Sequence, residues 1–425
     1  MLGELTVMLS GGTPSKSNPD YWNGTVPWAS AKDMKNYFLA DTEDHISDEA
    51  VQKATKLVPA GTVLLLTRGM TLLDDVPICL SMRPMTFNQD VKALRSKNGL
   101  LQEYLPYLLL GHKADLLDLV DLAGHGTGRL NSDELKNLPV LLPPESEQSK
   151  IAQFLGTVDN RLYNLSRQNE SIEAIAQAIF KSWFVDFDPV RAKAEGREPE
   201  GMDATTAALF PGAFKDSELG PIPQGWTIHG IDTIATFLNG IALQKYPAME
   251  GEEWLPAIKI AQLKCGSVDG ADRISRSIPE KYIVQDGDLL FSWSGSLEVE
   301  FWTGGKGALN QHLFKVFSAQ FPQWFVYLWL RFHLDGFREI AESKVTTMGH
   351  IQRHHLSEAI VVIPPPETLR GLDRFLGPLI EKVVAGRLQA RTLAELRDTL
   401  LPRLISGKLR VPEVEAMLTG GCREV

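Results

Sequence analysis

Three short stretches of this 425-residue chain carry side chains whose types could do chemistry. Asn18-Pro19-Asp20-Tyr21 comes near the Asn/Asp-Pro-Pro-Tyr/Phe motif with which a DNA methyltransferase holds a flipped base. It lacks the second proline and sits in a Ser/Gly/Lys-rich loop with no strand ahead of it, so a turn is expected. Gly124-His125-Gly126-Thr127-Gly128 offers glycines for a phosphate, but without GxGxxG spacing or a βαβ unit behind it. A loop at a domain edge is expected there. His350, His354 and His355 are close in sequence, yet no cysteine or carboxylate cluster accompanies them, so no metal is expected. No GxSxG, Walker loop or HExxH occurs. The chain is expected to hold no catalytic centre.

Bulk properties narrow the class. The 44% hydrophobic and 23% charged content is that of an ordinary globular protein, and the length suits two or three domains. The densest apolar run, Phe325 to Leu330, is cut by Arg331 and His333, so no membrane span is expected. The N-terminus lacks a basic region and a cleavage site, so no signal peptide is read. Cys79, Cys265 and Cys422 are scattered, which fits a reducing cytoplasm. A net charge of −10 argues against a nonspecific nucleic-acid coat, while leaving room for local basic loops.

The elements that would position any site come twice. LLPPESEQSKIAQFL at 141–155 is echoed by VIPPPETLRGLDRFL at 362–376. Upstream, Gly128-Arg129-Leu130 with Asp133-Glu134-Leu135 is matched by Met348-Gly349-His350-Ile351 with His354-His355-Leu356. Gly61–Leu66 is matched by Gly287–Phe291, Asn88-Gln89-Asp90 by Asn310-Gln311-His312, and Gly12 ahead of Val26-Pro27-Trp28 by Gly240 ahead of Leu255-Pro256-Ala257. The order is the same in both halves, with a period above 200 residues, so a domain is duplicated. Strands are expected at Gly61–Leu66, Gly287–Phe291, Val140–Leu142 and Ile360–Ile363, and helices at Gln102–Leu110 and Gln323–Phe332.

After each proline pair a long helix is expected. Phe154, Leu155, Val158, Leu162, Leu165, Ile172, Ile175, Ile179 and Trp183 keep helical spacing, as do Leu372, Phe375, Leu376, Leu379, Ile380, Val383, Leu388, Leu393, Leu396, Leu400 and Leu404. Glu145 and Glu147 suit the first helix's start, and Ser406-Gly407 the second's end. Each stripe must be buried, and the duplicate helix is the nearest partner. The fold class is therefore α+β: two similar α/β domains with short strands, separated by two long antiparallel helices in an intramolecular coiled coil. The boundaries are 1–143 for the first domain, 144–188 for the first helix, 189–225 for a connector, 226–364 for the second domain, and 365–425 for the second helix and tail.

Here the residues carry a family. SGGTPSK, YWNG and VPWASAKDM, followed by PPESEQSKIAQFL, IFKSWFVDFDP at 179–189 and LPRLISGKL at 401–409, resemble the DNA-specificity (S) subunit of type I restriction–modification systems. The resemblance implies two target-recognition domains, each reading one half of a bipartite site in double-stranded DNA. It implies helices that space the domains and dock two methyltransferase subunits, with restriction subunits in the full complex. S-adenosylmethionine, ATP and Mg²⁺ would bind those partners and none would bind this chain. One departure stands out: the chain starts almost at Gly-Gly-Thr-Pro, without the lead-in that the second half has at Gly225-Trp226-Thr227-Ile228. A self-contained DNA methyltransferase and a coiled-coil scaffold without DNA binding are the alternatives.

Without a catalytic centre, DNA contacts fall to polar and basic loop residues, Lys and Arg on phosphates and Arg, Lys, Asn, Gln and Ser on bases. In the first half these are Ser15, Lys16, Ser30, Lys32, Arg68, Gln89 and Arg129. In the second they are Gln244, Lys245, Lys259, Gln262, Ser294, His350 and Arg353. Trp28 and Trp293 are expected in cores. The aromatic crowd Ile179, Phe180, Trp183 and Phe184 is expected to dock another subunit.

Overall fold

The computed structural model describes residues 1–218, 220–343 and 349–420; Met348 of the second echo and Cys422 lie outside them. Four helices build the scaffold: α1 (Leu105–Gly111), α2 (Glu145–Phe180), α3 (Gln323–Glu342) and α4 (Pro366–Ile405). The chain folds into two compact units, Met1–Tyr163 with Leu393–Val425, and Asn164–Thr392, so α2 and α4 each contribute to both.

In the first unit, Val63–Leu66 is the centre of a five-stranded sheet ordered Thr6–Ser10, Val91–Ser96, Val63–Leu66, Ile78–Ser81, Phe38–Leu39. All four of its residues are buried, as a continuous apolar run with both faces covered requires. Leu105, Leu108 and Leu109 of α1 pack into the same core, with Ile151 and Leu155 from the start of α2 and Leu400 and Leu404 from the end of α4. A smaller sheet sets Val26–Ala29 between His45–Ile46 and Thr86–Phe87.

The second unit repeats the plan. Its sheet is ordered Thr236–Asn239, Leu313–Phe317, Leu289–Ser292, Val299–Phe301, and Trp254–Ile258 lies in a second sheet between Arg273–Ser275 and Gly307–Leu309. Helix α3 runs ten residues beyond the expected Phe332, to Glu342, because Leu334, Phe337 and Ala341 continue its buried stripe. Its core takes in Phe180 and Phe184 from the end of α2 and Leu372 and Leu376 from the start of α4.

Helices α2 and α4 have 36 and 40 residues, about 54 and 60 Å at 1.5 Å per residue. They run antiparallel within each unit. In the first, Asp159 of α2 meets Arg397 of α4 at 2.9 Å; in the second, Glu173 meets Arg387 at 2.7 Å. Higher numbers on one helix thus face lower numbers on the other. The end of α4 is closed by Gly407 at φ +70°, a left-handed position that glycine takes without steric cost. Past Phe180, α2 gives way to a π-helical turn over Lys181–Val185, and Phe187 at φ 56° turns the chain into a short helix, Asp188–Ala194.

One expected strand does not form. Ile360–Ile363 pairs antiparallel with Thr227–Gly230, but its counterpart Val140–Leu142 pairs with no strand among the described residues. The reason lies in the neighbouring segment. Ile231 N–H donates to the Ala359 carbonyl at 2.9 Å, and Leu2 N–H donates to the Leu138 carbonyl at the same distance. Leu2 therefore stands where Ile231 stands, and among the described residues no segment takes the place that Thr227–Gly230 has in the second unit. Leu141 is left 66% exposed, whereas Val362 at its place is 6% exposed.

Candidate nucleic-acid interface

Matching hydrogen bonds assemble a rim of loops in each unit. In the first, Gly12 N–H donates to the Phe87 carbonyl at 3.0 Å, Asn88 N–H to Ala29 at 2.9 Å, Thr67 N–H to Asp90 at 2.7 Å and Leu130 N–H to Thr67 at 2.9 Å. In the second, Ile241 donates to Leu309 at 3.1 Å, Asn310 to Ile258 at 3.2 Å, Trp293 to His312 at 3.3 Å and Ile351 to Trp293 at 2.9 Å. The same Asx turn recurs at the centre: Asn88 Oδ1 accepts from Asp90 N–H and Asn310 Oδ1 from His312 N–H, both at 3.1 Å. A side chain that satisfies its own loop in this way is the ordinary role of Asn in a turn.

These bonds fix a residue-by-residue match. Gly11, not Gly12, is the partner of Gly240. A Cβ on Gly11 would stand 2.0 Å from the Phe87 carbonyl oxygen, and one on Gly240 2.2 Å from that of Asn310. Both glycines let two backbones touch. Counting on from them, Lys16 stands with Lys245 and Ser15 with Gln244; all four are exposed. Arg68 stands with Ser294 and Arg129 with His350, because Arg68 pairs with Arg129 in one unit and Ser294 bridges His350 in the other.

The predicted residues divide by what already holds them. Lys16, Lys245, Arg68 and Arg353 are exposed, the last with its guanidinium 5.9 Å from the Phe314 ring centre. Lys32 is bound by Asp44 at 2.9 Å and Glu43 at 3.1 Å, and the hydrogen bond from Asp44 raises its pKa above the ordinary lysine value. Arg129 grips Asp121 through Nε at 3.0 Å and Nη2 at 2.7 Å, which raises its pKa likewise. Lys259 is paired with Asp272 at 2.5 Å. Ser30 donates its hydroxyl to Asp33 at 3.0 Å, and Gln89 Oε1 accepts from the Thr13 hydroxyl at 2.6 Å.

Four predicted contacts are turned inward. Gln262 is 9% exposed because its Oε1 accepts from Lys259 N–H at 3.3 Å, capping a short helix; Asp33 accepts from Ser30 N–H at 2.9 Å in the matching turn of the first unit. Ser294 is 3% exposed, its hydroxyl 2.9 Å from His312 Nδ1. Phe180 and Phe184 are buried and stacked, with ring centres 5.1 Å apart, and Phe184 is edge-on to Phe325 at 5.5 Å. They are core, not a docking face. Ile179 and Trp183 are partly buried against the same cluster.

Sequence reasoning missed several rim residues. His312 meets both Ser294 and the half-buried Trp293, whose Nε1 donates to Asn239 Oδ1 at 3.0 Å. Its place opposite Asp90 in the second Asn-Gln echo was the available signal. Trp28 is buried as expected, donating to the Gly12 carbonyl at 2.9 Å. Glu358 lies with His354 and His355 so that one ligand atom from each falls within 4.8 Å of the others. This is the carboxylate that spacing alone did not supply, one turn on from His354. His355 Nδ1, however, accepts from Gln352 N–H at 3.0 Å as a helix cap. The Asn18-Pro19-Asp20-Tyr21 stretch is a 3₁₀ turn capped by Asn18, and Gly124–Gly126 another, between the strands Val120–Leu122 and Gly128–Leu130.

Comparison with known proteins bears on the same rim. Residues 1–174, which hold the whole first rim, match the type I restriction modification DNA specificity domain. The chain is 28% identical over 426 residues to the type I restriction enzyme MjaIX specificity subunit of Methanocaldococcus jannaschii, covering 97% of this chain and 93% of that one. Its first 174 residues thus match a specificity domain of type I restriction–modification systems, and nearly its whole length is similar to one specificity subunit. The Escherichia coli EcoR124I/EcoR124II specificity subunit is 33% identical over 160 residues, 37% of this chain and 40% of that one. The crystal structure of the S subunit from M. genitalium shares the fold at TM-score 0.54 and 14% identity, covering 95% of this chain and 94% of that one. The domain matched over residues 1–174 is one of DNA specificity. None of its described helices is long and apolar enough to cross a membrane.

Proposed function

We propose that this specificity subunit reads a DNA target in two halves, one per unit, and has no catalytic centre of its own. The observation that carries the reading is the substitution of chemistry on a shared frame. At equivalent places the first rim carries the exposed Arg68 and Arg129, held by Asp121, where the second carries the buried Ser294 and the half-buried His350. An exposed arginine suits the paired acceptors of guanine in the major groove, and the buried serine in its place leaves the second rim to read through other residues. One frame with two side-chain sets suits a target whose halves differ. Lys16 and Lys245, at matched loop positions, suit phosphates, which carry affinity without sequence information.

In this reading α2 and α4 set the separation of the half-sites, and partner subunits of the type I complex bring methyl transfer and restriction. S-adenosylmethionine, ATP and Mg²⁺ belong to those partners, and the complex works in the cytoplasm. The chain's net charge of −10 fits a reader whose partners supply much of the phosphate attraction. The test is to express the chain with its methyltransferase partner and map methylated adenines across a genome. Two short sequences at a fixed gap are expected. Methyl transfer by the purified chain alone, from labelled S-adenosylmethionine to DNA, would overturn the non-catalytic reading.

A further inference from the structure

The two halves of the chain are alike in fold, so each long helix could in principle pair with a second copy of itself. The offset that relates them is 221 residues: Ile151 and Leu155 of α2 correspond to Leu372 and Leu376 of α4, all buried. Applying it to the helix contacts shows what self-pairing would bring together. We infer that the halves of this chain are a matched pair, built to accept each other and to refuse a second copy of either half.

The charges are divided by helix. Both acids at the helix contacts lie on α2 and both arginines on α4: the buried Asp159 with Arg397 in the first unit, the partly buried Glu173 with Arg387 in the second. Were α4 replaced by another α2, Arg397 would become Ala176 and Arg387 would become Ser166. Asp159, 2% exposed, would then be a buried carboxylate with no cation. Were α2 replaced by another α4, Asp159 would become Ile380 and Glu173 would become Ala394, so that Arg397 would keep Asp398 alone and Arg387 Glu300 alone. Removing one partner of a buried ion pair is strongly unfavourable, because the other charge stays desolvated.

Shape separates the halves as well. Asn169 of α2 packs against Gly386 of α4, where an added Cβ would stand 2.4 Å from the amide oxygen. In an α2 pair that glycine would be Leu165, for which there is no room. At the helix ends, Leu401, Leu404 and Ile405 fill the first unit, with Ile405 so close to α1 that a Cβ on Gly111 would stand 2.6 Å from it. Their counterparts on α2 are Phe180, Trp183 and Phe184, too large for that space. In the second unit Phe180 and Phe184 complete a cluster with Phe325, and Trp183 packs edge-on to Phe210 and Phe375. Leucine and isoleucine in their place would leave voids. Two unlike readers are thereby held in one molecule, and a symmetric pair of identical readers is disfavoured.

The test needs no DNA and is independent of the recognition reading. A protease site is placed in the exposed stretch 196–201 of the full chain, and the folded protein is cut there. The fragments are unfolded in urea, separated, and refolded alone or together, with native mass spectrometry as the readout. Together they should give a 1:1 complex. Alone, neither should dimerise at concentrations about a hundredfold above those that complete the 1:1 complex. A homodimer of either fragment within about tenfold of the 1:1 affinity would overturn the inference, as would failure of the fragments to recombine. A first fragment carrying Asp159→Leu, Asn169→Ala, Phe180→Leu, Trp183→Leu and Phe184→Ile has each obstacle removed and should gain a homodimer. If it stays monomeric, these residues are not the ones that discriminate.

Discussion

Asp159 and Arg397, 238 residues apart, join across the two long helices at 2.9 Å, next to Tyr107 of α1. Burial pushes the Asp159 carboxyl above the usual aspartate range, and the guanidinium pulls against it. Burial by the same core raises the Tyr107 hydroxyl and keeps it neutral. Arg397→Leu removes the opposing pull and raises the carboxyl further. A folded-state pKa above the unfolded value of about 3.9 means the folded state binds more protons in between. Stability from this group is therefore present at low pH and falls as pH rises through the folded value. The variant should lose about 3–5 kcal/mol at pH 8 and distinctly less at pH 5. Urea unfolding at the two pH values checks this; an equal loss at both would mean that the aspartate does not titrate as argued.

Gly11 and Gly240 are each pressed against a backbone carbonyl. Gly11→Ala and Gly240→Ala should each cost about 1–3 kcal/mol, read as a lower midpoint in thermal unfolding. Because each glycine serves its own rim, Gly11→Ala should weaken discrimination in the first half-site and leave the second intact, with Gly240→Ala doing the reverse. Competition binding with targets mutated in one half or the other separates the two effects.

The long helices and the duplication were legible because they depend on local periodicity. The stripe from Phe154 to Trp183 gave α2, and that from Leu372 to Leu404 gave α4. What a side chain touches across the fold was not legible. Asp121 neutralises Arg129 from eight residues away on a neighbouring strand, and Asp44 ties Lys32, so two cations that looked ready for phosphate are already engaged. Phe180 and Phe184 looked like surplus apolar surface because their partners, Phe325 and Trp226, lie far along the chain. The strand at Val140–Leu142 failed for a different reason: its apolar run is sound, but a strand needs a neighbour, and none lies beside it among the described residues.

Arg68 and Ser294 hold the same place on two rims, but Arg68 is exposed and Ser294 buried, so a substitution at each acts differently and on its own half-site. Arg68→Ser should relax or change one position in the first half-site, at a cost of about 1–3 kcal/mol for a lost bidentate base contact. Ser294→Arg, which forces a long cation into a packed site beside His312, should disturb the second half-site alone. Lys16→Ala, by contrast, should weaken binding across all sequences and lower its salt dependence, as loss of a phosphate contact does. Methylation mapping gives the first two outcomes and salt titration of binding gives the third. If Arg68→Ser behaves as Lys16→Ala does, Arg68 is a phosphate anchor and the base reader lies elsewhere on the rim.

Because α2 and α4 both run through the boundary between the units, they can be lengthened together. Four residues inserted after Tyr163 in α2 and four before Leu393 in α4 keep the antiparallel contacts of each unit and add about 6 Å, close to one turn, to both helices. At about 3.4 Å per base pair, the gap between half-sites should grow by roughly two base pairs. Inserting into α2 alone should instead slip Asp159 or Glu173 from its arginine and destabilise the fold. The measurement is the same adenine map with the doubly lengthened chain, checked first by circular dichroism for retained helix. A folded variant that still methylates at the original gap would show that something other than these helices sets the distance.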